Sequence, residues 1–206
     1  DTTSNEPEIE ADFRVVIENI ATAKSYSASG AFNTPVGAAS PAPIFPGEAY
    51  EASFDASPGS KLSFATMFVQ SNDLFYAPDG GGIDLYDSMG DQIVGDITSQ
   101  IMLWDAGSEV NQEPGLGADQ APRQSGANTG AADADNTIRL AIDDFSNLPA
   151  VSDVVMVSLS STGATGFTLR IENVSSSATL MTSDGNSHAV PLAPGAYVIH
   201  SEANAL

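Results

Sequence analysis

The chain has 206 residues, 42% of them hydrophobic, with 27 acidic against 6 basic side chains and a formal net charge of −21. Such a surface repels nucleic acid and anionic lipid and attracts divalent cations, and no apolar run is long enough to span a bilayer. Cysteine is absent, which excludes disulfides, thiolate metal sites and thiol nucleophiles. Because only 16% of residues are charged, the imbalance reflects missing Lys and Arg more than crowded acids. Solubility in sea water or brine, where salt screens the self-repulsion, suits the same composition.

Residues 1–11 read as a polar N-terminal tail or linker, and a start without Met is expected of a mature chain whose leader has been removed. That points to a secreted, extracellular protein. Short alternating or β-branched runs then follow at 13–20, 49–54, 62–69, 82–86, 92–94, 101–104, 137–142, 154–159, 167–174 and 196–200. Gly, Pro, Asn, Asp and Ser clusters bound them, and helical periodicity is missing at any useful length. The pattern predicts an all-β fold, an antiparallel sandwich with long irregular loops. Two stretches resist a strand reading: 33–46, rich in Pro, Ala and Gly, and 110–135, rich in Gly, Ala, Asp, Gln and Asn. A loop of the second length is expected to be functional, packed as an Ω-type excursion, or a solvated insertion.

An internal repeat organises the chain. Phe13-x-x-x-Ile17-Glu18-Asn19-Ile20 recurs as Phe167-x-x-x-Ile171-Glu172-Asn173-Val174, and each copy is followed by a Pro-Gly turn, at Pro46-Gly47 and Pro194-Gly195. This suggests a sandwich over 12–162 and the opening strands of a second, incomplete unit over 163–206. Unpaired edges of such a unit need cover, either from the same chain or from a neighbouring molecule by strand addition. Phe167, Ile171, Tyr197 and Ile199 are the candidate assembly residues.

Leu62 to Asp79, LSFATMFVQSNDLFYAPD, carries the most distinctive chemistry. A buried strand runs into Ser-Asn-Asp, an aromatic pair and then Pro-Asp-Gly-Gly-Gly. Asp73, Asp79, Asp84 and Asp87 offer hard oxygen ligands of the kind Ca²⁺ takes, although Asp and Gly are also ordinary turn residues. Downstream, Leu103-Trp104-Asp105-Ala106-Gly107-Ser108-Glu109 places Asp105 and Glu109 at a strand end, where Asp105 either binds metal or caps its own turn.

Together, LSFATMFVQSNDLFYAPD and LWDAGSE resemble the spondin N-terminal domain family in its bacterial and archaeal branch, over roughly residues 13–159. The resemblance implies a C2-like β-sandwich, an extracellular matrix or adhesion role, and one bound Ca²⁺. Carried over by position, the ligands are the Asp79 carboxylate and the Phe75 carbonyl, with an upstream acid near Glu48 or Glu51. Asp73, Asp105 and Glu109 complete the candidate metal residues. Leu74 stands where the animal relatives have tryptophan, Ala77-Pro78 where they have glycine-valine, and their cysteines are missing.

Enzyme chemistry finds little footing. His188 and His200 are the only histidines, no nucleophile-elbow pattern is present, and no carboxylate pair stands out. The expected function is a non-enzymatic, calcium-binding extracellular module for adhesion or matrix structure. The alternative is a filament or sheath subunit whose residues 163–206 complete a neighbour. Neither nucleic acid nor membrane insertion is expected.

Overall fold

The structure, a computed structural model, describes residues 26–145 and 147–202. The expected tail at 1–11 and strand at 13–20, with the first copy of the repeat, lie outside these residues.

Alternation decides the strands. In β3 (Lys61–Phe68) the side chains of Leu62, Phe64, Thr66 and Phe68 are all buried on one face, and in β10 (Gly166–Asn173) those of Phe167, Leu169, Ile171 and Asn173 are. The other long elements are β2 (Ala49–Asp55), β9 (Val155–Ser161) and β13 (Leu192–His200). Shorter ones are β1 (Ala28–Phe32), β4 (Leu74–Ala77), β5 (Ile83–Asp84), β6 (Gly95–Asp96), β7 (Met102–Asp105), β8 (Arg139–Leu140), β11 (Leu180–Met181) and β12 (Ser187–His188).

All pairings among them are antiparallel. A seven-stranded sheet runs β1-β13-β3-β4-β7-β8 with β5 beside β3, a four-stranded sheet runs β2-β10-β9-β6, and β11 and β12 form a small hairpin. Aromatic side chains from the two inner faces meet: the Phe54 ring lies 5.7 Å from Phe167 in its own sheet and 5.5 Å from Tyr197 in the other. The expected antiparallel sandwich is therefore the architecture found.

The boundary expected at 162/163 separates nothing structural among the described residues. It falls in the turn between β9 and β10, which pair from Phe167↔Ser161 to Asn173↔Val155. The C-terminal strands fill inner positions in both sheets, β10 between β2 and β9 and β13 between β1 and β3. Phe167, Ile171, Tyr197 and Ile199, expected to reach a neighbouring molecule, are buried in this chain's own core. Within this chain the cover is intramolecular, and there is a physical reason for it. A strand already tethered to its slot meets it at high effective concentration, and loop closure grows only slowly with length.

Gly195 lets β13 into that slot. A Cβ there would press on the Ala65 carbonyl and the Phe32 ring, at the point where the β13–β3 register shifts. Elsewhere the expected runs contract: 92–94 yields only a Tyr86↔Gln92 bridge beside β6, and 137–142 yields β8 followed by a 3-10 turn at Ala141–Asp143.

Two outcomes test this packing. Ile171→Ala should cost roughly 2–5 kcal/mol in urea unfolding, and a chain cut after residue 162 should show no cooperative transition. A separate C-terminal unit would instead leave the shortened chain with a cooperative melt. The Tyr76 hydroxyl is buried with no hydrogen-bond partner among the described residues, and burial pushes its pKa well up. Tyr76→Phe should therefore be neutral or stabilising by about 1 kcal/mol, because a buried unpaired hydroxyl is removed and the ring is kept.

Candidate functional site

Of the candidate calcium ligands, Asp84 pairs with Lys61 at 2.6 Å, Glu51 pairs with Arg170 at 2.8 Å, and Asp87 Oδ1 accepts the Met89 and Asp91 N–H groups; the other six residues fall into three places. Glu48 lies just ahead of β2, where its carboxylate accepts the Phe45 N–H at 2.8 Å and so closes its own turn. Asp73, Asp105 and Glu109 gather where β4 begins, β7 ends and the long 106–138 segment starts. Phe75 and Asp79 line a recess on the outer face of the seven-stranded sheet.

The middle group is a loop anchor. Asp73 Oδ2 accepts the Ser108 N–H at 2.6 Å, the Ser108 hydroxyl at 2.7 Å and the Glu109 N–H at 3.1 Å. Glu109, 5% exposed, accepts from the Asn72 amide at 3.1 Å and the Gly130 N–H at 3.0 Å. Asp105, fully buried, accepts the Gly107 N–H at 2.6 Å and lies 3.0 Å from the Arg139 guanidinium, a charge contact that is not aligned as a hydrogen bond. Arg139 also pairs with Asp133 at 2.7 Å and Asp144 at 2.5 Å. Desolvation raises the Asp105 pKa, the Gly107 N–H and Asn111 amide draw it back, Asp73 pushes it up again and Arg139 opposes that. Gly107, at φ +67°, is required here, since a Cβ would run into the Thr137 carbonyl.

The long segment packs as a compact excursion around buried Gln120. Its amide donates to Asn72 Oδ1 and to the Gln112 and Glu113 carbonyls, and its Oε1 accepts the Gly115 N–H. Of the sequence alternatives for 110–135, the Ω-type packing is the one seen.

Calcium takes six to eight oxygens. The candidate residues do not fit that shell as a set, because they lie apart and donors occupy most of their oxygens. Among the described residues no group of three or more His, Asp or Glu side chains is placed to hold a metal ion.

The recess has a different character. Its volume is about 310 Å³, with Ala65 of β3 and Ala77 of β4 among its lining. Phe75 and Trp104, a cross-strand pair, and Ile138 add its large apolar groups. Trp104 is held by its indole N–H, which donates to the Ala77 carbonyl at 3.2 Å. Asp79 stands on the ridge towards a second recess of about 270 Å³, lined by Gly82, Ile83, Ser99, Gln100 and Met102. Asp79 Oδ1 accepts the Gly81 N–H at 2.8 Å, and no cation pairs with this carboxylate among the described residues.

Ser63, at the same recess, shares a 2.9 Å hydrogen bond with His200 Nε2. The other ring nitrogen faces the Glu202 carbonyl, and both side chains are almost sealed, 4% and 2% exposed. A backbone carbonyl on the second nitrogen and the lack of access favour a packing contact over a nucleophile–base pair.

Trp104, Ala65, Ala77 and Ile138 were not among the expected site residues. The legible signal was phase: Phe75 and Trp104 alternate with the buried Leu74, Tyr76, Leu103 and Asp105, so two large aromatics occupy outward positions. Comparison with known families, with curated proteins and with solved structures finds no match to this chain.

Arg139→Met tests the anchor. Without its cation, the Asp105 carboxyl holds a proton in the folded state that the unfolded chain has released, so stability falls as pH rises. The stability lost relative to the parent protein should be small near about pH 4 and grow towards about pH 7, by urea denaturation. A loss independent of pH would contradict the assignment.

Proposed function

We propose that this chain is a non-enzymatic recognition module of an extracellular surface or matrix, of the spondin type that its sequence resembles. The observation that carries the reading is the outer face of the seven-stranded sheet. An outward sheet face is ordinarily polar. Here the outward positions Ser63, Ala65 and Met67 of β3, Phe75 and Ala77 of β4, and Met102 and Trp104 of β7 are uncharged, in a protein of net charge −21, and the Lys61–Asp84 ion pair stands at the margin of this face. An apolar, aromatic recess with the Asp79 carboxylate at its margin supports a binding role.

Calcium is left out of this proposal because the candidate ligands do not converge. The melting temperature should be the same in excess CaCl₂ and in excess EGTA, and a clear drop in EGTA would restore an ion to the account. The filament alternative, with residues 163–206 completing a neighbour, has no observation in its favour, since β10 and β13 are paired on both sides within the chain.

The direct test is binding to immobilised extracellular-matrix proteins and polysaccharides by the parent protein and by a Phe75→Ala/Trp104→Ala variant. The variant should keep a cooperative melt and lose binding. Binding that is unchanged in this variant would move the function elsewhere.

A further inference from the structure

We propose that the recess takes a protonated amine or guanidinium on an apolar stem, the lysine or arginine side chain of a partner protein. This rests on reading the recess as the recognition site and adds the chemistry of what enters it.

Three features converge. The cavity, about 310 Å³, sits at the small end of ligand pockets, which run roughly 300–1,000 Å³, so it suits one side chain better than an extended ligand. Its polarity is one-sided. Phe75, Trp104, Ala65, Ala77 and Ile138 offer apolar surface, and Asp79 offers a carboxylate whose Oδ2 meets no donor among the described residues. The Ser63 hydroxyl is already engaged by His200. A group with an apolar stem and one charged head matches this cavity: the stem lies on the rings, the head meets Asp79, and the aromatic faces add cation–π attraction. Charge complementarity fixes the sign. With 27 acidic against 6 basic residues, the protein's field concentrates cations and opposes an anionic head.

The chain provides its own probe, since Trp104 is its single tryptophan. The full chain is titrated at low salt, in chelator, with n-hexylammonium, 1-hexanol and hexanoate, following Trp104 fluorescence. Hexylammonium should bind at least about tenfold more tightly than hexanol, hexanoate should not bind, and added salt should weaken the amine alone. Asp79→Asn keeps an acceptor for the Gly81 N–H, should melt as the parent does, and should bring hexylammonium down to the affinity of hexanol. Equal affinity for hexanol and hexylammonium, or an Asp79→Asn variant that binds the amine as the parent does, would overturn the cation assignment while leaving an apolar recognition site. A Trp104 signal insensitive to all three compounds would overturn both readings.

Discussion

The insertion of β13 between β1 and β3 is the contact on which the rest of the structure depends. Its residues Gly195–Ile199 pair with Ala28–Phe32 on one side, and Leu192 and Gly195–His200 pair with β3 on the other, so the last described strand joins the first to β3. Tyr197 from β13 also reaches Phe54 across the sandwich, which couples the two sheets through aromatic contact. Without β13, β1 would lose its one strand partner among the described residues and the buried face of β3 would lose a neighbour. The cost of ordering the chain is met by such shared apolar surface more than by any single bond.

From that frame the outward face of β3, β4 and β7 follows. Once Phe64, Tyr76 and Leu103 are committed inward, the pleat sends Ala65, Phe75, Ala77 and Trp104 outward, and the recess results from small residues beside large ones. The long 106–138 segment is tied to the edge of the same sheet by Asp73, Asp105, Glu109 and Arg139, which brings Ile138 to the recess. Acids that composition alone marks as metal ligands thus hold backbone amides and a guanidinium. Their chemistry is the same in both readings, since a carboxylate collects donors as readily as it collects a cation.

Much of the fold was legible because alternation in β2, β3, β9 and β10 is strong and one-sided. β1, Ala-Ser-Gly-Ala-Phe, was not, because small residues carry almost no hydrophobic signal and only its partner makes it a strand. β4 was hidden by its setting between Ser-Asn-Asp and Pro-Asp-Gly, whose turn character outweighs four alternating residues. The repeat at Phe167 marks no boundary among the described residues, where its second copy, β10, lies between β2 and β9; its first copy lies outside them. At the site, Phe75 and Asp79 do line one recess, whereas Glu48 and Asp105 cap their own turns, as Asp before Ala-Gly commonly does, and Asp73, Asp105 and Glu109 take partners 21 to 37 residues away, which no local spacing reveals.

Native-state hydrogen exchange tests the central claim most directly, because it reads the stability of each segment within the intact protein. The slowest amides should include those of β10 and β13 together with β3, all exchanging only through global unfolding. The 106–138 segment should exchange earlier. If residues 163–200 opened as a separate unit at lower free energy than β3, the C-terminal strands would not be what holds the sandwich together.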